Sequence, residues 1–235
     1  SRAHAPLTQV VVDFVRAQEL RPNESDVPGW YAWVLSQQGN SDLAVSEAQR
    51  AIQLDPLSPS RRVSLGLEAL RLGRAELALE AATAGRRLEP ELIMFEAIAA
   101  HALLLLGRSG ECLDLRLGPH HGLRATCLYE SGDTLAARRI IDSLIAATET
   151  AGRRPSPYTR VLTAEDIAAY FAWIGDPPRA LRWVRRAFEL SPMGIELRLL
   201  RSPVFDRVQR DAVFSREVDE ILSAVWNRVL AESSI

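Results

Sequence analysis

The chain has 235 residues, 47% of them hydrophobic, which is enough apolar material to bury a core in one or two domains. Its 28 basic residues nearly balance 30 acidic ones, so it has no overall cationic field that would attract nucleic acid. No apolar run approaches the roughly 18 to 20 residues of a transmembrane helix, and we therefore expect a folded cytoplasmic protein without a membrane span.

Residues 7–20 have the pattern of one amphipathic helix. Val10, Phe14 and Ala17 fall on the same helical stripe, and Pro22 follows at a point where a helix cannot continue. The chain begins without a Met or a secretion-signal pattern, so we expect a preceding segment of a longer protein to supply the partner of this helix.

A period of 34 residues follows this first helix. Prolines recur at this interval, and so do glycines that lie between them: Pro22, Pro56 and Pro90, and Gly39, Gly73 and Gly107. Pro192 lies three further periods beyond Pro90. Gly132 and Gly175 continue the glycine series at intervals of 25 and 43 residues, so one unit is nine residues short and the next is nine residues long.

Small residues flank each turn glycine at two fixed offsets. They lie seven residues before and five residues after it: Ala32 and Ala44, Gly66 and Ala78, Ala100 and Cys112, Ala125 and Ala137, and Ala168 and Ala180. Small side chains at matched positions allow two helices to approach closely. Because a glycine ends one helix and a proline stops the next, the pattern predicts a series of antiparallel helical hairpins.

Three segments resemble the tetratricopeptide repeat (TPR): residues 39–56 (GNSDLAVSEAQRAIQLDP), 73–90 (GRAELALEAATAGRRLEP) and 175–192 (GDPPRALRWVRRAFELSP). The resemblance covers roughly residues 7–192. It weakens at residues 115–122, where we expect a turn, and at residues 148–162, where we expect a loop before a helix that starts at Thr163. The resemblance implies an all-α fold, a right-handed α-solenoid of TPR-type hairpins whose first helices line the concave surface.

Residues 202–222 resemble a tail that follows TPR arrays in bacterial winged-helix transcription regulators and adenylate cyclases. The family pattern is kept at Pro203, Phe205, Asp206, Asp211 and Phe214, whereas Ala212 and Val213 replace its second Pro-Arg. The last helix, about residues 213–230, has an apolar stripe and is expected to cap the final hairpin, with filling of the concave groove as the alternative. We predict a repeat array over residues 1–201 and a C-terminal helical cap over residues 202–235.

Candidate catalytic or metal-binding residues are few. His120 and His121 could bind zinc together with Cys112 or Cys127, but ligand pairs at short spacing are missing, and we interpret the histidines as part of a turn. Two cysteines are too few for a disulfide framework, so a reducing compartment is expected and packing accounts for Cys112. The sequence has no phosphate-binding loop or serine elbow, and we predict no enzyme activity and no cofactor.

The residues six and three positions before each turn glycine are expected to line the concave groove. The candidate partner-binding residues are Trp33, Leu67, Leu70, His101, Leu104 and Tyr129, together with Trp173 at the groove edge. The chain has no lysine, and no asparagine falls in these rows, which argues against the clamp by which some TPR proteins hold a terminal carboxylate. A largely apolar concave surface predicts either a bound protein or peptide segment or closure by the tail of the chain itself.

These observations favour a protein-binding or sensory scaffold module of a bacterial signalling or transcription regulatory protein. Its expected partner is a protein or peptide, with no direct binding of nucleic acid or membrane, and homodimer formation is left open. The alternative hypothesis is a TPR assembly factor or lipoprotein subunit of an envelope complex. A third hypothesis is an enzyme that uses the His-His turn.

Overall fold

The computed structural model describes residues 4–37, 39–118, 120–150, 157–190 and 200–232. Within these ranges the regular structure is helical and no strand occurs. The helices are α1 (His4–Leu20), α2 (Asp26–Gln37), α3 (Ser41–Leu54), α4 (Pro59–Arg71), α5 (Ala75–Leu88), α6 (Met94–Leu105), α7 (Ser109–Leu113), α8 (His121–Glu130), α9 (Thr134–Thr150), α10 (Pro157–Trp173), α11 (Pro177–Leu190), a 3-10 helix (Pro203–Phe205), α12 (Asp206–Gln209) and α13 (Ala212–Glu232). The all-α prediction is confirmed.

Two compact units divide the chain, residues 1–98 and residues 99–235, and the division falls inside α6. In the first unit, α2 packs against α3 and α4 packs against α5. In the second unit, the corresponding pairs are α8 with α9 and α10 with α11. Each unit is therefore built from antiparallel helical hairpins, as the repeat predicts.

The five predicted turn glycines all adopt the left-handed conformation. Their φ angles are positive: Gly39 80°, Gly73 68°, Gly107 70°, Gly132 97° and Gly175 75°. At the first turn, Gly39 N donates to Ser36 O at 3.1 Å and Asn40 N donates to Leu35 O at 3.0 Å. This bonding pattern recurs at the other four glycines and satisfies carbonyl groups that the end of a helix would leave exposed.

The ten small residues that flank these glycines are all buried. Ala44 and Ala78, for example, are fully inaccessible to solvent, at the start of α3 and α5. In each hairpin the two helices lie close together, so these positions have no room for a longer side chain.

Replacement of Ala44 or Ala78 by leucine is expected to lower the free energy of unfolding by about 1 to 3 kcal/mol, because the added methylene groups overpack a helix contact. Ser46→Leu and Thr83→Leu place the same side chain at exposed positions of the same helices and are expected to stay within about 0.5 kcal/mol of the wild type. Urea unfolding followed by circular dichroism measures both pairs. Equal unfolding midpoints for buried and exposed variants would show that the small positions are not packing contacts.

A glycine and a phenylalanine pack closely together in the first unit. A Cβ added to Gly85 would lie 2.1 Å from Cε1 of Phe95, which is completely buried. The other second helix of this unit has Ala51 at the equivalent position, 34 residues earlier. Gly85 therefore provides the space into which the Phe95 ring packs.

The unequal spacing of the later glycines is explained by helix length. α7 has five residues where α3 and α5 have fourteen, so the short unit has lost most of its second helix. α9 and α10 have seventeen residues each, and they absorb part of the extra length of the next unit.

The predicted start of α10 at Thr163 was wrong, because the helix begins six residues earlier, at Pro157. Proline is tolerated in the first turn of a helix, where its missing N–H would have no partner, so it marks a helix start here and not a loop. α9 likewise continues to Thr150. The rest of the predicted loop, residues 151–156, lies outside the described residues.

The C-terminal helices pack on the last hairpin. α13 contacts α11 and α12, while the 3-10 helix and α12 contact α10. Phe214, Val218 and Ile221 are buried on the predicted apolar stripe, and Phe214 stacks on Phe205 with ring centroids 6.2 Å apart. α13 thus packs on the last hairpin, and both its capping role and the boundary at residue 202 stay predictions.

Candidate partner-binding surface

In the first unit, the predicted groove residues differ in accessibility. Leu67 and Leu70 are buried in α4, where they contribute to the helical core. Trp33 on α2 is half-buried, so part of its ring remains accessible. Of these three residues, only Trp33 combines a large side chain with a surface that another molecule could contact.

A second tryptophan, which the groove prediction missed, lies beside Trp33. Trp30 is 61% exposed, and its ring meets that of Trp33 edge to face, with centroids 6.4 Å apart and an interplanar angle of 88°. The groove prediction considered only residues six and three positions before each glycine, whereas Trp30 lies nine positions before Gly39. A comparison of the five units at that offset would have singled it out.

An arginine of α4 lies against α2 near Asp26 and Gly29. Arg61 forms an ion pair and a hydrogen bond with Asp26, and its Nη1 lies 2.5 Å from the position that a Cβ on Gly29 would occupy. Gly29 thus allows the guanidinium group to lie directly on the backbone of α2. Burial lowers the pKa of Arg61, an effect that the nearby Glu24 carboxylate opposes.

In the second unit, His101 and Leu104 are buried on α6, and Tyr129 on α8 is half-buried. The Tyr129 ring packs edge to face against Tyr170 of α10, with centroids 6.1 Å apart. Burial raises the pKa of Tyr170, and the neighbouring Tyr129 adds to that effect. Tyr129 is therefore the accessible member of the predicted groove residues in this unit.

Trp173 is held by neighbouring residues of the same chain. Its indole Nε1 donates to Glu130 Oε1 at 2.5 Å, and the guanidinium carbon of Arg207 lies 5.2 Å from its ring centroid. Arg207 also donates to the backbone oxygen of Trp173 at 2.5 Å and lies 3.5 Å from Glu130 Oε1. Since Trp173 is buried under α12, it offers little surface to a partner.

The two adjacent histidines have different environments. His120, immediately before α8, is buried and its Nδ1 lies 3.2 Å from Oδ1 of the buried Asp166 on α10. His121 is exposed in the first turn of α8. Among the described residues, no group of three or more His, Cys, Asp and Glu side chains could hold a metal ion. The His120–Asp166 contact joins α8 to α10 across consecutive hairpins.

Cys112 and Cys127 form a disulfide bond between α7 and α8, with their Cα atoms 5.8 Å apart. Both side chains are fully buried. The interpretation that packing alone accounts for Cys112 was wrong, because its sulfur is bonded to Cys127. The two cysteines belong to consecutive hairpins, so their spacing of fifteen residues resembles no short ligand or redox motif and carried no signal in the sequence.

Two solved structures are similar to this chain. "YrrB: a TPR protein with an unusual peptide-binding site" has a TM-score of 0.46 and 14% sequence identity, with 88% of this chain and 97% of that chain covered. "Naa15/Naa10 bound to HypK-THB" has a TM-score of 0.39 and 14% identity, with 98% of this chain and 40% of that chain covered. The sequence matches no protein-family model and no curated protein. The repeat fold rests on the helices, glycine turns and buried small residues described above.

Among the helices of the described ranges, none combines the length and the apolar character that a membrane span requires.

Proposed function

We propose that this chain is a protein–protein interaction scaffold that binds segments of a partner on its first helices. The observation that supports it is the accessibility of Trp33 and Tyr129, each on the first helix of a hairpin. Large aromatic side chains remove much apolar surface from water at a small cost in conformational entropy, so they dominate many protein interfaces.

The other predicted groove residues belong to the core beneath this surface. Leu67, Leu70, His101, Leu104 and Trp173 are buried, so they hold the first helices in place and leave most of the contact area to the accessible aromatic residues. The site is proposed separately for each compact unit, with Trp33 in the first and Tyr129 in the second. A partner that contacts only one unit should depend on only one of them.

The finer proposal is a sensory or scaffolding module of a bacterial signalling or transcription regulatory protein. The resemblance of residues 202–222 to the tail of such regulators supports this proposal. Three of the matching residues, Phe205, Asp211 and Phe214, are joined by contacts in the structure. Asp211 Oδ1 accepts a hydrogen bond from Phe214 N at 2.8 Å, which caps the start of α13, and Phe214 stacks on Phe205. The tail pattern thus corresponds to one packed element that begins the last helix.

A second candidate function is an assembly factor of an envelope complex. The Cys112–Cys127 disulfide favours it, because disulfides persist in oxidising compartments and are rare in cytosolic proteins. Rapid alkylation of thiols in cells, followed by mass spectrometry, distinguishes the two settings. Two alkylated cysteines support the cytoplasmic proposal, whereas an intact disulfide supports the envelope proposal.

Alanine substitution of the accessible aromatic residues tests the scaffold function. Trp33→Ala and Tyr129→Ala are each expected to weaken the binding of a partner to the corresponding unit by about 1 to 3 kcal/mol, while the helical fold is retained. Partners recovered from the source organism with the wild type are compared with those recovered by each variant, and affinities are then measured with the purified partner.

Leu57→Ala and Leu135→Ala provide matched controls, because each removes an exposed apolar side chain from one of the two units. Both controls are expected to retain the partners. If Trp33→Ala and Tyr129→Ala also retain every partner at wild-type affinity, the first helices are not the binding surface.

A further inference from the structure

The disulfide bond anchors a second helix that is too short to be stable by itself. α7 has five residues, all within the described ranges, and of these only Cys112 is buried. The second helices α3 and α5 have fourteen residues each and bury four and five of them, respectively. Helices shorter than roughly 12 to 15 residues are at best marginally stable alone in water. The position of α7 therefore depends on its one buried side chain, which is bonded to Cys127.

The other interactions of α7 are weaker than this covalent bond. Arg124 of α8 donates a hydrogen bond through Nη1 to the backbone oxygen of Leu113 at 3.2 Å, at an exposed position. The Leu113 side chain itself is half-buried. The ion pair between Arg108 and Glu111 joins exposed side chains of the same segment, so it does not tie α7 to another helix. Loss of the disulfide thus removes the main attachment of α7.

α8, the other helix that the disulfide joins, is held more firmly. It has ten residues and packs against α9 and α10, and its buried residues are Gly122, Leu123, Ala125, Thr126 and Cys127. Both cysteine side chains are completely buried. Reduction turns the bonded sulfurs into two thiol groups, which have to move apart because non-bonded atoms keep van der Waals separation. Since α8 is fixed by its neighbours, α7 is the helix that moves.

We propose that the Cys112–Cys127 disulfide is a redox switch, which docks α7 on α8 in the oxidised protein and releases α7 in the reduced protein. The change is local, because Leu117, which follows α7, is buried by its own side chain and marks the end of the released segment. Release uncovers the side of α8 that carries Cys127. The two redox states therefore present different surfaces, whether or not the proposed scaffold function holds.

The reduction uses a dithiol as its co-reactant. One thiolate of the dithiol attacks a sulfur of the disulfide, the Cys112–Cys127 bond breaks, and the displaced cysteine leaves as a thiolate that takes up a proton. The second thiol of the dithiol loses its proton and attacks the mixed disulfide, which releases the other cysteine and closes the disulfide of the reagent. Two electrons and two protons thus pass from the dithiol to the cysteine pair. Because both sulfurs are buried, the attack requires an opening of α7, and segments with few buried contacts open at a low free-energy cost.

Hydrogen–deuterium exchange of the full chain, with and without dithiothreitol, tests the proposal. Peptides that cover residues 109–118 are expected to exchange at least about tenfold faster after reduction, whereas peptides from α8 and α11 stay within about twofold at the same early times. Early times are used because only local opening contributes to exchange there. The Cys112→Ala/Cys127→Ala variant is expected to exchange in residues 109–118 as fast as the reduced wild type and to show no response to dithiothreitol.

Equal exchange of residues 109–118 in the oxidised and reduced wild type would overturn the proposal. Equal acceleration in α7, α8 and α11 would also overturn it, because the bond would then stabilise the whole compact unit and would not control α7 alone. Intact mass measures whether the protein gains two hydrogens under dithiothreitol. A bond that survives this treatment in the folded protein, or two free thiols in the protein as purified without reductant, would likewise contradict the switch.

Discussion

Phe95→Ala is expected to lower the free energy of unfolding by about 3 to 5 kcal/mol, one of the two largest effects that we expect of any change in this chain. Phe95 is completely buried, and its ring fills the space left by the missing side chain of Gly85. Removal of the ring loses its transfer free energy and leaves a cavity that the surrounding helices can close only in part. Chemical denaturation of the purified variant, followed by circular dichroism, measures the change.

Substitution of the glycine tests the same contact from the other side. Gly85→Ala is expected to destabilise by about 1 to 3 kcal/mol, because the new Cβ would overlap the Phe95 ring. Gly110→Ala is the matched control, since it also lies in a helix but has no atom within 4 Å of its added Cβ. The control is expected to be neutral or slightly stabilising. Equal losses in the two variants would contradict the proposed packing of Phe95 on Gly85.

Reduction of the Cys112–Cys127 disulfide is expected to lower the free energy of unfolding by about 3 kcal/mol, because the bond closes a fifteen-residue loop and restricts the unfolded chain. Urea unfolding of the wild type with and without a thiol reductant measures the effect. The Cys112→Ala/Cys127→Ala variant is expected to match the reduced wild type and to show no response to reductant. Alanine is a natural choice here, because the four other units have an alanine at the position equivalent to Cys112.

Thiol titration of the denatured protein, purified without reductant, provides the direct test of the bond. The expected result is no free thiol. Two free thiols, together with an unfolding midpoint that does not respond to reductant, would contradict the disulfide and remove the observation that favours an envelope setting.

The repeat itself could be predicted from the sequence because its determinants are local. A glycine such as Gly39 ends a helix by its own conformational freedom, and small residues such as Ala44 allow the next helix to pack back within the same hairpin. Since these requirements recur with each hairpin, they leave a period that can be recognised without any knowledge of tertiary contacts. The irregular lengths of two units could also be predicted from the spacing of the glycines. The start of α10 could not, because this helix begins at Pro157 and not at Thr163.

The candidate binding surface could be predicted only in part. The two offsets from each turn glycine located Trp33 and Tyr129 on first helices, but the same offsets selected Leu70 and Leu104, which are buried. Position within a repeat determines which face of a helix a residue occupies, whereas its exposure depends on the size of the residues that neighbouring hairpins bring against that face. Trp30 is exposed, for example, whereas its equivalents Ile98 and Leu123 are buried.

The sequence by itself determined the helical hairpins, their turns and their small packing residues, because each depends on neighbours less than one repeat away. Only the tertiary structure decided which distant groups meet: Cys112 with Cys127, His120 with Asp166, and Trp173 with Arg207. These contacts join different hairpins, so they depend on how the shortened and lengthened units stack and not on the pattern within one unit. The physical reason is that side-chain chemistry is encoded at single positions, whereas proximity between hairpins results from the packing of all the helices in a compact unit.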